Sequence, residues 1–354
     1  MTLKILLLDM GKILRGGQRQ VFYLAMNLMR TDGFEPLVAL PAKAPLRPML
    51  EQAGIPYAVL PSGSDLNPLN MISLLGITSR FQPDVVHTND AKGASLGALL
   101  KKFRKNIRLV HSRRVSYALK AGWSKKKYLA GDKLVAVSGE IRDVLVNCGI
   151  PEEKTSVIHS GIDASRYTTE KHPHPMLTIG AVGALSSQKG FEVLIDALGV
   201  LKEDTTLPPW QCLIAGDGPL LVELKARADR LDLSRSILFL GHRDSREVLP
   251  EIDILTVPSV DGEGSNAVIK EGWASGTPVI TSDLPSNLEL VTHEHNGLVF
   301  KNRDPKELAE SIIRVYRDPA LATRMKDNGS ISLEEYTDKI MTAKYIKIYQ
   351  ALSN

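Results

Sequence analysis

The stretch Pro258-Ser-Val-Asp-Gly-Glu263-Gly-Ser-Asn-Ala-Val-Ile-Lys-Glu271-Gly-Trp-Ala-Ser-Gly276-Thr-Pro-Val-Ile-Thr281 decides the fold. Before it, Asp253-Ile-Leu-Thr-Val257 is a short apolar run rich in β-formers that ends at a Pro and Gly punctuated loop, and so reads as a buried strand. Ser265 or Asn266 can N-cap a helix with Ala267, Val268, Ile269, Trp273 and Ala274 on its apolar side. Gly276 stands where a left-handed residue closes a helix, and Pro278 to Thr281 starts the next strand. The free N–H groups and positive dipole end near Gly264 to Ala267 attract anions such as phosphate. Glu263 stands at the edge of that anion site. Glu271 lies about 12 Å further along at ~1.5 Å rise per residue, if the helix includes both. Carboxylates so spaced can bind hydroxyls at opposite ends of an extended ligand. The spacing alone equally describes an ordinary βα unit with a solvated glutamate at each end.

Working outward, apolar strand-like runs alternate with helical patterns at Leu3 to Leu8, Pro36 to Leu40, Tyr57 to Leu60, Asp84 to His87, Arg108 to His111, Leu134 to Val137 and Ser156 to Ile158. A second series runs through Leu177 to Val182, Cys212 to Ala215, Ile237 to Leu240, Ile254 to Val257, Val279 to Thr281 and Leu298 to Phe300. The alternation predicts an α/β fold of two doubly wound parallel sheets. The polar, proline-broken run Tyr167 to Pro175 is the linker expected between them. Two such Rossmann-like halves make a cleft with ligands at the strand carboxyl ends. Ser332 to Leu352 is helical in pattern.

At 354 residues, with 24% charged residues and a net charge of +4, the chain has room for two ordinary globular domains. Its two cysteines, Cys148 and Cys212, lack metal-ligand spacing and point to a reduced, cytoplasmic setting. Leu3 to Leu8 is far too short for a membrane span or a signal core and reads as a first strand. No Asp-x-Asp pair or His/Cys cluster indicates a metal, and no cofactor is expected.

Glu263-x7-Glu271 in its strand-loop-helix setting resembles the signature of the retaining, nucleotide-sugar-dependent glycosyltransferases of family 4 (group 1). Gly183-Ala-Leu-Ser-Ser-Gln-Lys189-Gly190, Ala215-Gly-Asp-Gly-Pro219, Val137-Ser138, His159-Ser-Gly161-Ile-Asp163 and Asn296-Gly-Leu-Val-Phe300 resemble that family's other landmarks, in the same order, over essentially the whole chain. The resemblance implies a GT-B fold with a last helix that crosses back to the N-terminal domain. It further implies an acceptor-binding domain at 1–168, a donor-binding domain at 175–333 and that returning helix at 334–354. The co-substrate would be a nucleoside diphosphate sugar and the acceptor a glycan or glycolipid hydroxyl, with a bacterial lipopolysaccharide or surface polysaccharide as the expected product.

Under that resemblance Glu263 binds sugar hydroxyls, Glu271 the ribose and Lys189 the diphosphate, where a fixed cation stabilises the charge that builds on the leaving phosphate. Gly183, Gly216, Gly264, Ser265 and Asn266 join the donor-binding set. Arg243, just past a strand, borders the nucleobase. Gly16 and Gly17, before a helix expected at Gln18 to Met29, let backbone approach a ligand closely, although by themselves they fit a plain tight turn. His87 and His111 close strands and are expected to point toward the cleft, His111 as a catalytic group. Arg113 and Arg114 occupy the neighbourhood where the family often has a histidine, and with His87 are candidates for sugar or acceptor binding. One departure stands out: the family's arginine five residues before the loop lysine is Ala184 here.

Lys101, Lys102, Arg104, Lys105, Arg108, Arg113, Arg114, Lys120, Lys125, Lys126, Lys127 and Lys133 face a single acid, Asp132, between residues 101 and 133. Such a bias suits an anionic membrane surface, with Tyr117 and Trp123 interleaved, as well as a solvated basic face. Nucleic acid is a poorer fit, since few aromatics are available to stack bases. Two other readings share the donor site: a sugar-nucleotide epimerase, and a noncatalytic sugar-nucleotide-binding subunit motivated by Ala184. An oxidoreductase is disfavoured because no dinucleotide fingerprint is present.

Overall fold

A computed structural model describes residues 2–172 and 175–353. The chain divides into two compact units, one of residues 1–161 with 338–354, the other of residues 162–337. The first contains β1 (Leu3–Leu8), β2 (Phe34–Pro41), β3 (Tyr57–Leu60), β4 (Val85–Thr88), β5 (Arg108–Arg113), β6 (Lys133–Ala136) and β7 (Thr155–Val157), in the order β3-β2-β1-β4-β5-β6-β7. The second contains β8 (Leu177–Val182), β9 (Trp210–Ala215), β10 (Ile237–Gly241), β11 (Ile254–Val257), β12 (Val279–Ser282) and β13 (Leu298–Phe300), in the order β10-β9-β8-β11-β12-β13. All pairings within both sheets are parallel, so each sheet is covered by helices on both faces and its strands are nearly continuous apolar runs. Leu6, Leu7 and Leu8 of β1, for example, have no exposed surface.

The first crossing between units falls at Gly161–Ile162, earlier than the proline-broken run suggested. Ile162 is buried in the core of the second unit, its N–H donates to the Tyr336 carbonyl at 3.0 Å, and it bridges to Thr337. The run itself is tied to the second unit: Lys171 Nζ donates to the carbonyls of Leu249 at 3.1 Å and Ile252 at 3.0 Å, and to Thr277 Oγ1 at 2.5 Å. Pro173 and His174 of that run lie outside the described residues.

The last helix begins at Asp338, after the helix Pro319–Leu333 and a 3-10 turn at Glu334–Tyr336, and it belongs to the first unit. Its Met341, Tyr345 and Tyr349 enter that unit's core, and Asn27 donates to the Asp338 carboxylate at 2.8 Å. The expected return of the final helix to the N-terminal domain is therefore present, starting six residues later than the helical pattern at Ser332 implied.

Candidate functional site

In the second sheet the strand order reverses between β8 and β11, so the loops after these two strands part at their carboxyl ends, the place where such sheets bind ligands. The loop after β8 carries Lys189, and the loop after β11 carries Glu263. Two backbone contacts hold these loops together: the N–H groups of Val260 and Asp261 donate to the Gln188 carbonyl at 2.9 and 3.3 Å. Gly190, at φ 64°, makes the approach possible, because a Cβ there would lie 2.0 Å from the Pro258 carbonyl oxygen.

The consequence is a direct pairing, with Lys189 Nζ 2.6 Å from Glu263 Oε1. Ser259 Oγ donates to the same carboxylate oxygen at 2.5 Å, and Ser259 is itself fixed from behind, its carbonyl accepting from Ser282 Oγ at 2.5 Å. Glu263 is buried, and Lys189 keeps a quarter of its side chain exposed. A partly exposed lysine thus meets a buried carboxylate that a second hydrogen bond also holds.

The helix expected after Glu263 spans Ala267–Ala274, so Glu263 lies in the loop before it and the two glutamates do not share one helix. Asn266 is the N-cap, accepting the Val268 N–H at 3.3 Å, and its side-chain amide donates to Asn287 Oδ1 at 3.4 Å. Ser265 is one residue outside. Glu271 is buried within the helix, and Gly276 closes it at φ 58° as the pattern predicted.

On the other side of β8, the turn after β9 packs against the Gly183 loop. A Cβ on Gly216 would lie 1.8 Å from the Gly183 oxygen, and one on Gly218 would lie 2.4 Å from the Leu185 oxygen. Hydrogen bonds from Gly183 N–H to Ala215 O (2.9 Å), Leu185 N–H to Asp217 O (3.0 Å) and Gly216 N–H to Gly241 O (2.8 Å) complete the seam. Close backbone packing accounts for Gly216 and Gly218. Arg243 follows β10 on the surface, 3.3 Å from Glu247.

The first unit corrects the histidine expectations. β5 extends through Arg113 rather than ending at His111, which places His111 in mid-strand. Both His87 and His111 have no exposed surface. His87 sits between Tyr349 Oη at 2.6 Å and Ser112 Oγ at 2.8 Å; His111 sits between Thr88 Oγ1 at 2.6 Å and the Lys127 carbonyl at 3.1 Å. Burial pushes the His111 pKa down to about 3 and that of His87 well below the usual imidazole range. They are neutral, saturated core groups, and His111 is not placed to act on a ligand.

Arg113 is also internal. It donates to the Tyr117 carbonyl at 2.5 Å and lies over the rings of Tyr117 and Tyr128, at 4.7 and 5.4 Å from their centroids. Arg114 reaches Ser160 Oγ at 3.4 Å, and a Cβ on Gly17 would lie 3.4 Å from its Cδ. The helix beside it spans Gly16–Met29, so both glycines belong to its first turn.

Two residues went unremarked in the sequence. Asp9, immediately after β1, is wholly buried, accepts from Gln18 Nε2 at 3.1 Å, and has its pKa raised to about 6 by burial and by the Asp90 carboxylate. Lys270, on the helix Ala267–Ala274, has no exposed surface and donates to Ser265 Oγ at 2.6 Å. A charged residue among the apolar positions of a short helix was the available signal for it. Among the described residues no group of three or more His, Cys, Asp or Glu side chains is placed to hold a metal ion, and no helix is long and apolar enough to cross a membrane.

Comparison with known proteins bears on this geometry. The model of the glycosyl transferases group 1 matches residues 169–331, and that of glycosyltransferase family 4 matches residues 14–166. The chain is 23% identical over 291 residues to the UDP-Gal:alpha-D-GlcNAc-diphosphoundecaprenol alpha-1,3-galactosyltransferase of Escherichia coli, covering 73% of each. It is 27% identical over 245 residues to the amylovoran biosynthesis glycosyltransferase AmsK of Erwinia amylovora, covering 63% of this chain and 60% of that one. Among solved structures, HepE of Anabaena in complex with UDP superposes with a TM-score of 0.85 at 23% identity, over 99% of this chain and 100% of that chain. The two-sheet architecture described above is the fold that this likeness shows.

Proposed function

We propose, as the chain belongs to the group 1 glycosyltransferases of family 4, that it moves a sugar with retention from a nucleoside diphosphate sugar to a glycan or glycolipid hydroxyl. The observation that carries the reading is the 2.6 Å contact between Lys189 Nζ and Glu263 Oε1. It sets a cation for phosphate and a fixed acceptor for sugar hydroxyls one hydrogen bond apart, and in a nucleotide sugar those two chemical groups are joined through a single anomeric carbon. Lys189 would turn from Glu263 to the diphosphate when the donor enters. Glu271, buried in the helix behind the loop, would take the ribose hydroxyls.

In the proposed reaction the bond from the anomeric carbon to the phosphate oxygen breaks, and a bond to the acceptor oxygen forms on the same face of the sugar. The acceptor proton passes to the departing phosphate oxygen. Lys189 and the N–H groups before Ala267 would lower the energy of the charge on that phosphate, so catalysis would rest on positioning and electrostatics. The amylovoran biosynthesis relative and the relative that transfers galactose to alpha-D-GlcNAc-diphosphoundecaprenol favour a bacterial surface polysaccharide or lipopolysaccharide acceptor.

We assign the membrane-facing role to the exposed part of the basic segment. Arg113 and Lys127 are buried and Lys101 pairs with Asp132, whereas Lys102, Arg104, Lys105, Arg108, Lys120 and Lys126 are exposed; the first four flank Phe103, 66% exposed, and Lys102 lies over the ring of Trp123. Cationic and aromatic side chains in one patch suit the inner face of an anionic membrane. Co-sedimentation with phosphatidylglycerol vesicles, lost on replacing Lys102, Arg104 and Lys105 by glutamate, tests this; equal binding to neutral vesicles contradicts it.

The decisive experiment measures thermal shift and nucleotide release with UDP-, GDP- and ADP-sugars, for the wild type, Lys189→Ala and Glu271→Ala. One donor is expected to stabilise the wild type and release its nucleotide in the presence of acceptor, with both effects reduced in the variants. Conversion of the donor without nucleotide release would instead identify an epimerase. Binding without turnover against any acceptor would identify a noncatalytic subunit.

A further inference from the structure

Lys270 is the fourth residue of the helix Ala267–Ala274, and its side chain is wholly withdrawn from solvent. Its ammonium donates to Ser265 Oγ at 2.6 Å and lies 5.1 Å from the centroid of the Tyr336 ring. Removing an ammonium from water is costly, so a lysine at this depth needs a reason to be there. Its hydrogen-bonded partner supplies one, because Ser265 belongs to the Gly264–Asn266 loop that leads into the helix. An ammonium has donors only, so Ser265 Oγ must accept from it, and the serine's own hydroxyl hydrogen is directed away from Lys270.

The loop after β8 adds the second half of the argument. Lys189 is its cation, whereas Ala184, five residues earlier, is exposed and uncharged at the position where an arginine was expected. A site for a diphosphate dianion with one partly exposed lysine is short of positive charge, and Lys270 is a second lysine that the fold brings to the same loop as Glu263 and Ser265. We propose that Lys270 is the second cation of the phosphate site, a positioning residue that acts through Ser265. Its charge, little screened at that depth, makes the Gly264–Asn266 loop more attractive to the β-phosphate, and it sets Ser265 Oγ as a donor toward that phosphate. This deepens the donor reading above and rests on it.

The test separates phosphate recognition from packing. Titration calorimetry compares UDP, GDP and ADP, each beside its own nucleoside, on the wild type, Lys270→Met, Ser265→Ala and the double variant. The wild type is expected to prefer one diphosphate over its nucleoside. Lys270→Met and Ser265→Ala should each weaken that diphosphate about tenfold or more while leaving the nucleoside within about twofold, and the double variant should lose little beyond either single one. Equal weakening of diphosphate and nucleoside would show that Lys270 only supports packing, and a preference unchanged in both single variants would also overturn the proposal. If Lys270→Met does not fold, Ser265→Ala alone decides, since Ser265 is a small loop residue. A wild type that binds no nucleoside diphosphate would overturn the donor reading itself, and this inference with it.

Discussion

The carboxyl ends of the two sheets carry polar side chains in two different situations. In the first unit His87 and His111 lie within strands, and both ring nitrogens of each are hydrogen-bonded with no exposed surface. In the second unit Lys189 and Glu263 stand several residues beyond their strands, in glycine-bearing loops whose backbones are held together. The central strands of a parallel sheet covered on both faces are buried through their paired residues, as β4 and β5 are around His87 and His111. Chemistry is left to the residues just past that point, and a difference of two residues in where a strand ends decides which kind a histidine is.

The sharpest way to break this contrast is His111→Ala. The substitution opens a cavity and leaves Thr88 Oγ1 and the Lys127 carbonyl without their ring partner, so we expect a loss of about 4 kcal/mol in urea unfolding. Turnover per folded molecule should stay near the wild-type value at low temperature. A stable His111→Ala protein with activity reduced a hundredfold would place His111 among the reacting groups and remove the contrast.

Lys189→Ala is the mirror experiment. Lys189 keeps a quarter of its side chain exposed, but its partner Glu263 is buried and would retain only the Ser259 hydroxyl, so the loss should cost on the order of 1 to 3 kcal/mol, less than His111→Ala. Its loss should lower kcat for nucleotide release about 10²- to 10³-fold, the scale of one preorganised charge-stabilising donor. Unchanged kcat with a lowered melting temperature would reverse the assignment.

Acid–base behaviour sharpens the same comparison within the first unit. Asp9, with its pKa raised to about 6 from 3.8, binds its proton more readily folded than unfolded. Whatever stability that proton brings is present below about pH 4 and is lost as the pH rises through 6. Asp9→Asn should therefore match the wild type near pH 4 and exceed it by up to about 3 kcal/mol at pH 7.5, at 1.36 kcal/mol per pKa unit. The buried histidines act in the opposite sense, because their folded pKa values lie below the unfolded one, and they withdraw stability as the pH falls below about 6.5. A difference between Asp9→Asn and wild type that does not vary with pH would show that Asp9 stays ionised in the fold.

Much of this was legible in advance, for physical reasons that particular residues show. Strands buried on both faces write themselves as apolar runs, and each of the thirteen runs read from the sequence overlaps an observed strand, with Asp84, Val137 and Ile158 one residue outside theirs. Gly276 was readable because a left-handed residue closes that helix, and the close approach of the loops carrying Lys189 and Glu263 because glycine loops after strands announce backbone that approaches something. The strand ends were less legible: nothing local to His111 says that pairing with β6 continues to Arg113, since Ala136 across the ladder supplies that information. The first crossing between units was missed because Ile162, one buried side chain, outweighs a whole proline-rich run that looks more like a linker. Lys270 was hidden by the assumption that a lysine in an amphipathic helix faces water.

The smallest expected effect concerns Arg243, which tests the outer limit of the second unit's site. Among the described residues it pairs with Glu247, an i,i+4 contact at 3.3 Å with side chains 39% and 61% exposed, so the pair itself should be worth less than about 0.5 kcal/mol. Arg243→Ala should accordingly leave the melting temperature almost unmoved. If the guanidinium borders the nucleobase, the variant should bind its preferred nucleoside diphosphate a few-fold more weakly, and the ratio between that base and the other two should narrow. A selectivity that survives the substitution would remove Arg243 from base recognition and turn attention to the backbone seam of Gly183, Gly216 and Gly241, where no side chain fits between Gly216 and Gly183.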